Sequence, residues 1–304
     1  MTSAVDMLGA TGLWAGQLSL LPARTVRPLL TQLEGLGFDT LWINESLSKE
    51  AFAHAGFLLG ETERVTVATG IANIWARDPI AMRNGGRTLT DAHPDRFVLG
   101  VGVSHGPLVG TRGHDYGSPL ERMRTYLADM AAAPFRAPQP DSPEDLRPEG
   151  TTPIILAALG PRMLELAREA ADGATPYVID PNHTRRAREI LGPDRVLAPA
   201  QAVCMERDAG RARTLARAWL ALYLGLPNYA NNLRRLGYTD EDLAHGGSDA
   251  LVDGIVAWGG PGAAAERVAA HREAGADHVT VYVLGEGPDD LRMADVEAVA
   301  AALA

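Results

Sequence analysis

The chain has almost no cysteine and almost no lysine: of 304 residues, Cys204 is the single cysteine and Lys49 the single lysine. One cysteine excludes an internal disulfide and a metal site built from several thiolates, and this usage is typical of proteins in a reducing cytoplasm. Cys204 lies within the apolar run 202–205, so we expect a buried core side chain rather than a catalytic thiol.

Positive charge and long apolar runs are also scarce. The net charge of -10 at pH 7 argues against a nucleic-acid or anionic-membrane partner, since both require a basic face. No apolar run approaches the ~20 residues of a membrane span, and residues 1–6 lack the basic region of a signal peptide. No pair among the eight histidines has metal-ligand spacing beside a carboxylate, so no metal is expected. These absences favour a cytoplasmic protein that acts on a small molecule.

Apolar, strand-like runs recur along the whole chain and alternate with amphipathic stretches. Eight such runs lie at 11–18, 39–43, 65–70, 97–102, 153–157, 174–178, 196–204 and 278–283. This alternation predicts an α/β protein with a (β/α)₈ TIM barrel, in a single domain over residues 1–304. An open, doubly wound parallel sheet is the alternative, because a strand count taken from one sequence can miss a strand or two.

In a barrel, segments that follow strands lie at the active-site end, and segments that follow helices lie at the opposite end. Residues 103–118 and approximately 224–250, the latter an insertion after the seventh strand and its helix, therefore belong to the active-site end. We interpret the second segment as a candidate lid, because Gly225, Gly246 and Gly247 can act as hinges. A surface excursion with no role in binding is the alternative. The proline-rich segment 134–153 is expected at the opposite end.

A signal for a binding site follows the third run. Residues 65–69 read as a buried strand, and Gly70-Ile71-Ala72-Asn73 form a small-residue exit before a helix begins near Asp78-Pro79. Glycine at the end of a strand permits a bend, or a close approach of the backbone to a ligand.

A second signal follows the fourth run, in Gly102-Val103-Ser104-His105-Gly106. Histidine titrates near neutral pH, so His105 can transfer a proton to or from a bound ligand; a loop histidine held by a hydrogen bond is the alternative. The same residues spell Gly-x-Ser-x-Gly, the nucleophile elbow of α/β hydrolases, but that motif must enter a helix. Pro107, Gly110 and Gly113 disfavour a helix here, so a serine hydrolase is a remote alternative. A barrel that binds a ligand without catalysis is another.

Five sequence motifs occur in order along the chain, at 38–46, 69–79, 96–102, 158–162 and 171–173. Together they resemble the bacterial luciferase-like superfamily and, within it, the branch of coenzyme F420-dependent oxidoreductases. The resemblance covers approximately residues 8–284. It implies a TIM barrel that holds a flavin or deazaflavin ring at the carboxyl ends of the strands, and it implies a homodimer.

The resemblance also implies how the cofactor is bound. In the F420 branch a bulge with a non-prolyl cis peptide bond backs the ring, and the matching bond here is Gly70–Ile71; an ordinary β-bulge is the alternative. Gly160-Pro161-Arg162 begins a helix whose free N–H groups, dipole and arginine suit the cofactor phosphate. The implied cofactor-binding residues are Gly70, Ile71, Ala72, Asn73, Gly102, Ser104, Leu159, Gly160, Pro161 and Arg162.

The catalytic residues follow from a departure from the family pattern. In several F420 enzymes an acidic residue followed by histidine ends the second strand, whereas here Glu45 is followed by Ser46. We therefore predict that His105 transfers the proton while hydride moves, with Glu45 as its helper or as a substrate ligand. The predicted substrate pocket consists of Trp14, Gln17, Ser46, Trp75 and Tyr229. Trp14 as a pure core residue and Arg77 as a structural partner of Asp78 are the alternatives for those two side chains.

The predicted function is hydride transfer between coenzyme F420 and a small organic substrate. The Gly70–Ile71 exit and the arginine-, alanine- and glycine-rich composition, which looks actinobacterial, favour F420 over FMN. An FMN-dependent luciferase-like monooxygenase, which would need a flavin reductase as a partner, is the main alternative.

Overall fold

The computed structural model of the chain describes residues 2–135, 150–287 and 289–304. Most of the proline-rich segment, residues 136–149, lies outside the described residues, so its expected position stays a prediction. No helix in the described ranges is both long enough and apolar enough to cross a membrane.

The described residues form one eleven-stranded sheet in which every pairing of strands is parallel. The strands are β1 (Thr11–Trp14), β2 (Thr40–Ile43), β3 (Thr66–Thr69), β4 (Ala72–Asn73), β5 (Phe97–Gly102), β6 (Ile154–Leu156), β7 (Gly173–Ala174), β8 (Val196–Leu197), β9 (Ala200–Cys204), β10 (Val256–Trp258) and β11 (Val279–Val283). Their order is β10-β9-β11-β1-β2-β3-β5-β6-β7-β8, and β4 pairs with β5 beside this path.

Helices lie between the strands along the whole chain, which makes the protein an α/β fold. The longer helices are α2 (Ala23–Gly35), α3 (Ala51–Gly60), α4 (Pro79–Ala92), α6 (Pro119–Ala131), α7 (Pro161–Ala170), α8 (Pro181–Leu191), α9 (Ala209–Leu224), α10 (Pro227–Leu236), α13 (Pro261–Glu273) and α14 (Met293–Leu303). The shorter ones are α1 (Ala4–Leu8), α5 (Gly106–Gly110), α11 (Asp240–Leu243) and α12 (Asp249–Ile255).

The sheet is curled, and its inner face carries large side chains. Trp42 of β2 is fully buried and donates a hydrogen bond from Nε1 to Nε2 of His278, just before β11, at 3.0 Å. Gly12 of β1 leaves room for this pair, since a Cβ there would lie 2.6 Å from the His278 ring. At the far end of the strand order, a single parallel bridge joins Tyr177, after β7, to Ala200 of β9.

Each of the eight predicted runs contains or overlaps a strand, and the structure adds three details that the prediction missed. The exit after the third run carries a short strand of its own, β4. The run at 196–204 is divided into β8 and β9 at Pro199, which has no N–H to offer a ladder. β10 follows α12 directly, without a residue between them, and none of the predicted runs covers it.

Two helices show how the amphipathic stretches pack against the sheet. Val26, Leu30 and Leu33 form the buried face of α2, and Gly37 follows that helix with φ 85°, a left-handed conformation that glycine adopts without strain. In α4, Gly86 lies against the sheet, where a Cβ would come within 3.1 Å of Thr152 and 3.4 Å of Leu99. Small residues therefore bring that helix close to its strand.

The candidate lid segment, 224–250, is mostly helical. It contains α10, α11, a 3₁₀ turn at Ala244–Gly246 and the start of α12. Gly246 and Gly247 have φ values of 83° and 107°, whereas Gly225 has an ordinary value of -76°. Buried residues of α10 include Tyr229 and Leu233, so this helix packs inward rather than extending into solvent. Whether the segment opens stays a prediction.

Candidate functional site

The bulge after β3 is the backbone feature around which the site is built. The Gly70–Ile71 peptide bond is cis, which confirms the feature that the family resemblance implied. The chain then continues as β4, which pairs with the end of β5 through Ala72↔Val101 and Asn73↔Gly102. Gly102 is required there because a Cβ would lie 2.6 Å from the Ile71 side chain. The bulge is thereby joined to the carboxyl ends of β5 and β6.

Behind the bulge, Glu45 and Arg77 form a buried ion pair, and the backbone amides of Ala51 and Asn73 also bind the Glu45 carboxylate. We call these four residues the bulge region. Oε2 of Glu45 accepts hydrogen bonds from the Asn73 amide at 2.8 Å and from Nη1 of Arg77 at 2.9 Å. Oε1 accepts from the Ala51 amide at 3.2 Å and from Nη2 of Arg77. The carboxylate thus ties the end of β2 to the start of α3 and to the bulge.

The charges of this pair are shielded from solvent. The side chains of Arg77 and Glu45 are only 9% and 3% exposed, and Arg77 also bonds to Glu50 at 2.6 Å. Burial lowers the pKa of Arg77, but the hydrogen bonds and negative charge of Glu45 and Glu50 outweigh it and raise that pKa overall. Arg77 therefore pairs with Glu45 and Glu50 rather than with Asp78, the alternative partner, and Asp78 caps α4 by accepting from the Ala81 amide.

This arrangement leaves Glu45 poorly suited to the proton-transfer or substrate role predicted for it. Both of its oxygens are used by backbone amides and Arg77, on the side of β2 that faces α3 and α4. Successive side chains of a strand point to opposite faces, so Trp42 and Asn44 face the inside of the curled sheet and Glu45 faces the helices. Ser46 next to it has its carbonyl bonded by Nη2 of Arg112, at 2.8 Å.

On the opposite side of the same edge lies a cluster of rings, which we call the aromatic region: Trp14, Tyr177, Tyr223 and Tyr229. Trp14 stacks on Tyr177 with centroids 5.0 Å apart and planes 20° apart. Tyr223 and Tyr229 meet Tyr177 edge-on at 5.3 and 6.4 Å. Trp219 of α9 and Tyr282 of β11 extend the cluster. Burial raises the pKa of Tyr282 to about 12, so these phenols are neutral hydrogen-bonding groups at neutral pH.

His105 lies against this cluster. Its ring centroid is 5.6 Å from that of Tyr229, and within the described residues its nitrogens have no hydrogen-bond partner. Burial lowers the pKa of His105, so the neutral imidazole is favoured. The structure therefore brings together three predicted residues, His105, Tyr229 and Trp14, with Tyr177 connecting them.

The turn before His105 bears on the hydrolase alternative. Ser104 has φ 58°, and α5 does begin at Gly106, so the expectation that no helix follows is wrong: proline is tolerated in a first helical turn. The helix has five residues. No histidine in the described part of the chain donates to or accepts from the Ser104 hydroxyl, which leaves the serine without a base.

The start of α7 supplies the third element of the site. Gly160 is its N-cap residue, and no side chain caps the first turn. The carbonyl of Leu159, just before it, accepts a hydrogen bond from Nε2 of His183 at 2.8 Å. Nδ1 of His183 is buried and has no partner among the described residues. Arg162 points to solvent and makes no ion pair or hydrogen bond among the described residues. Arg235 of α10 is closer, since its Nη1 lies 3.5 Å from where a Cβ of Gly160 would be.

Two residues predicted for the substrate pocket, Trp75 and Gln17, lie outside the aromatic region. The indole N–H of Trp75 donates to the Val103 carbonyl at 2.9 Å, and Arg122 lies over the ring at 4.7 Å, so Trp75 fixes the loop after β5. Gln17 is buried, at 3% exposure, and its Oε1 has no hydrogen-bond partner in the described structure.

A cavity of about 320 Å³ lies beside this site, between the ends of β9 and β11 and the start of α14. Its charged lining is balanced, with Arg207, Arg211 and Arg292 against Glu206, Glu286 and Asp295. Cys204 lines it but is buried, and burial raises the pKa of its thiol, as expected for a core cysteine. No group of three or more histidine, cysteine or acidic side chains in the described ranges could hold a metal ion.

Sequence reasoning missed Tyr177, Tyr223, His183 and Arg235. Tyr177 follows a strand and carried a positional signal, because residues after strands face the site. The other three lie on helices: His183 on α8, and Tyr223 and Arg235 six residues to either side of the predicted Tyr229. No local motif marks them.

Comparisons with known proteins agree with this architecture. Residues 5–278 match the model of the family described as luciferase-like monooxygenase. A Mycobacterium tuberculosis protein named as a proposed coenzyme F420-dependent oxidoreductase is 29% identical over 274 residues, covering 75% of this chain and 76% of that protein.

Two solved structures show the same fold at low sequence identity. Coenzyme F420-dependent tetrahydromethanopterin reductase from Methanopyrus kandleri superposes with a TM-score of 0.74 at 17% identity, over 96% of this chain and 97% of that one. The oxygenating constituent of 3,6-diketocamphane monooxygenase from Pseudomonas putida, in complex with FMN, gives 0.68 at 16% identity, over 96% of each chain. These likenesses are to one F420 enzyme and one FMN enzyme.

Proposed function

The chain belongs to the luciferase-like monooxygenase family and is an oxidoreductase, and on that premise we propose that it is an F420-dependent enzyme that moves hydride between the deazaflavin and a small organic substrate. The observation that carries the proposal is the meeting of three elements at one edge of the sheet. These are the bulge packed on Gly102, the uncapped start of α7 with Arg235 above it, and His105 among the rings.

The residues present fit such a cofactor. A bulge backbone supported from behind by Glu45 offers a fixed surface for a planar ring. The N-terminus of α7 supplies a helix dipole and free backbone N–H groups, which favour a phosphate, and Arg235 adds a cation there. We assign the phosphate to this place, with Arg235 and Arg162 as its candidate side chains. When bound, F420 supplies a ring carbon that accepts or gives hydride, while the protein positions the substrate and handles the proton.

His105 is the proposed proton-transfer residue. Its nitrogens have no hydrogen-bond partner among the residues that the structure describes, and its burial favours the neutral form, which can accept a proton from a substrate and return it. Glu45 is proposed as a positioning residue, which holds the bulge through the Asn73 amide.

Three finer features belong to the same proposal. The curled sheet closes into a (β/α)₈ barrel within a single domain, supported by the pairing of β11 with both β1 and β9 and by the Tyr177–Ala200 bridge. The segment 224–250, inserted between α9 and α12, covers the site through Tyr229 and Arg235. The protein functions as a cytoplasmic homodimer, as the family resemblance implies.

An FMN-dependent monooxygenase is the second candidate, favoured by the likeness to the FMN-bound monooxygenase. It would need a reductase to supply reduced flavin. The 29% identical relative favours F420 instead.

A side-by-side titration of the purified protein with F420 and with FMN tests the proposal, read by fluorescence and calorimetry. We expect micromolar or tighter binding of F420 and at least tenfold weaker binding of FMN. Arg235→Ala and Arg162→Ala should each weaken F420 binding, and Arg211→Ala, which changes an arginine of the neighbouring cavity, is the matched control. Preference for FMN would make the protein an oxygen-using flavoprotein, and binding of neither would overturn both candidates.

A further inference from the structure

Two polar side chains converge above Gly16, at the carboxyl ends of β1 and β2. A Cβ on Gly16 would lie 2.8 Å from Oδ1 of Asn44 and 2.9 Å from Nε1 of Trp14. Glycine is therefore needed at this position, because any side chain would displace one of the two groups. A hydrogen-bond acceptor and a hydrogen-bond donor thus lie within reach of one small group.

Neither of these atoms has a partner in the described structure. Oδ1 of Asn44 is buried without a hydrogen bond, and the indole N–H of Trp14 donates to no described residue. Proteins rarely leave such groups unpaired, and where they do, a ligand or an ordered water is the usual partner. Oε1 of Gln17, the residue after Gly16, is buried and unpaired in the same way.

The pair borders the place proposed for the cofactor ring. Cζ3 and Cη2 of Trp14 lie 2.9 Å from where a Cβ of Gly70 would be, so the indole ring lies directly against the bulge. The same ring is stacked on Tyr177. As whole residues Trp14 and Asn44 are partly exposed, whereas the Oδ1 atom of Asn44 is buried.

We propose that Asn44 and Trp14 form the subsite that selects the substrate, and that the group it binds is a neutral hydroxyl. The inference rests on the proposed function for the neighbouring ring. A hydroxyl satisfies both atoms at once, because its O–H donates to Oδ1 of Asn44 and its oxygen accepts from the N–H of Trp14. A ketone or an ether satisfies only Trp14 and leaves the buried Asn44 oxygen unpaired. The aromatic region beside the pair suits an apolar carbon skeleton attached to that hydroxyl.

Three probes of similar skeleton test the subsite: cyclopentanol, cyclopentanone and cyclopentyl methyl ether. Their dissociation constants are measured by calorimetry and ligand-observed NMR, with and without F420. We expect cyclopentanol to bind about five- to tenfold more tightly than the other two, the effect of one hydrogen bond. Asn44→Leu should remove this preference and leave the affinity for the ether within about twofold.

Two further variants control for folding and for the type of substitution. Asn44→Asp retains an acceptor oxygen and should retain the preference for the alcohol, which separates lost recognition from lost folding. Asn228→Leu makes the same change as Asn44→Leu at an exposed site on α10 and should behave as the wild type.

A wild-type preference for the ketone would mean that the Asn44 amide presents its N–H₂ group, and it would overturn the proposal. So would equal affinities, an unchanged preference in Asn44→Leu, or no measurable binding of any probe. The F420 titration reports on the proposed function separately, since the alcohol preference of the protein alone does not require F420 to bind.

Discussion

Two regions of the molecule meet at the carboxyl edge of the sheet and are held by different forces. The bulge region is fixed by charge and directional hydrogen bonds. Two backbone amides and the two terminal guanidinium nitrogens of Arg77, Nη1 and Nη2, donate to the carboxylate of Glu45. The aromatic region is held by ring contacts at 5.0 to 6.4 Å, with a hydrogen bond from Tyr223 to Tyr177 at 3.2 Å. The contrast separates a surface whose geometry must be fixed from one that can adjust to different substrates.

The physical difference lies in what each region loses when one group is removed. A buried charge without its partner is strongly destabilising, because the low-dielectric surroundings do not solvate it. A ring removed from a cluster leaves apolar contacts that the neighbours partly restore. Changes in the bulge region should therefore act on stability, and changes in the aromatic region mainly on turnover or binding.

Arg77→Met gives the largest expected effect. It leaves the Glu45 carboxylate buried and unpaired, so the free energy of unfolding should fall by ~3–5 kcal/mol. Chemical denaturation at neutral pH measures it. Arg77→Lys keeps one charge but not the two-pronged contact, so it should lie between the wild type and Arg77→Met.

The double variant Glu45→Gln/Arg77→Met sharpens this prediction. It removes both charges while a glutamine oxygen can still accept from the Asn73 amide, so it should recover at least half of the lost stability. A double variant no more stable than Arg77→Met would show that packing of the arginine, and not the unpaired charge, is what matters.

The pH dependence of stability is the next largest expected effect. It comes from a histidine of α3, the helix that begins at Ala51 of the bulge region. His54 of α3 is 2% exposed, and burial, aided by the charge of Lys49, lowers its pKa to about 4. Between the unfolded value of about 6.5 and the folded value, the unfolded chain binds a proton that the folded protein does not. The stability contributed by neutral His54 is therefore present above pH 6.5 and is lost as the pH falls towards 4, by about 3 kcal/mol.

His54→Leu separates this contribution from those of other buried histidines. Both nitrogens of His54 are buried and have no hydrogen-bond partner in the described part of the chain. Leucine should therefore raise the unfolding free energy at pH 7 by ~1–3 kcal/mol and flatten the acid limb. His245→Asn, at an exposed site, is the control and should leave the acid limb unchanged. An unaltered limb in His54→Leu would assign the acid sensitivity to His271 and His278 instead.

His105→Ala tests the aromatic side of the comparison. Turnover with F420 should fall by ~100-fold, with the affinity for F420 little changed, since a positioned acid or base contributes ~100- to 10⁴-fold. The limb of the pH–rate profile due to this residue lies below pH 6.5 in the wild type, because burial lowers the pKa of His105, and it should vanish. Wild-type rates in His105→Ala would refute the role, and stability should change far less than in Arg77→Met.

The same contrast explains what could be predicted from the sequence. Most strands, though not β10, could be predicted because buried parallel strands are continuous apolar runs. The bulge could be predicted because Gly70 marks a strand end and lies in a family pattern. The start of α7 was visible because Gly160-Pro161 is a local N-terminal signature. These features depend on neighbours in sequence.

The partners of these features were not visible, because they depend on tertiary contacts. Glu45 was predicted as a helper of His105 or a substrate ligand, and the alternation of side chains along β2 places it on the face opposite to Trp42, where it binds Arg77. Arg235 and Tyr223 come from helices more than 60 and 40 residues away from Gly160 and Tyr177, and only the folding of those helices over the edge brings them there. The positions of Arg235 and Tyr223 at the site could therefore be found only from the structure.

Tyr223→Phe gives the smallest expected effect and probes the comparison most directly. It removes one hydroxyl and its 3.2 Å hydrogen bond to Tyr177, and it keeps the ring contacts that hold the aromatic region together. The unfolding free energy should fall by about 1 kcal/mol, the net contribution of one neutral hydrogen bond. Tyr238→Phe is the matched control outside the aromatic region. A loss as large as that of Arg77→Met would mean that the rings, too, are fixed by polar contacts. The aromatic region would then be as rigid as the bulge, and it could not adjust to the shape of its substrate.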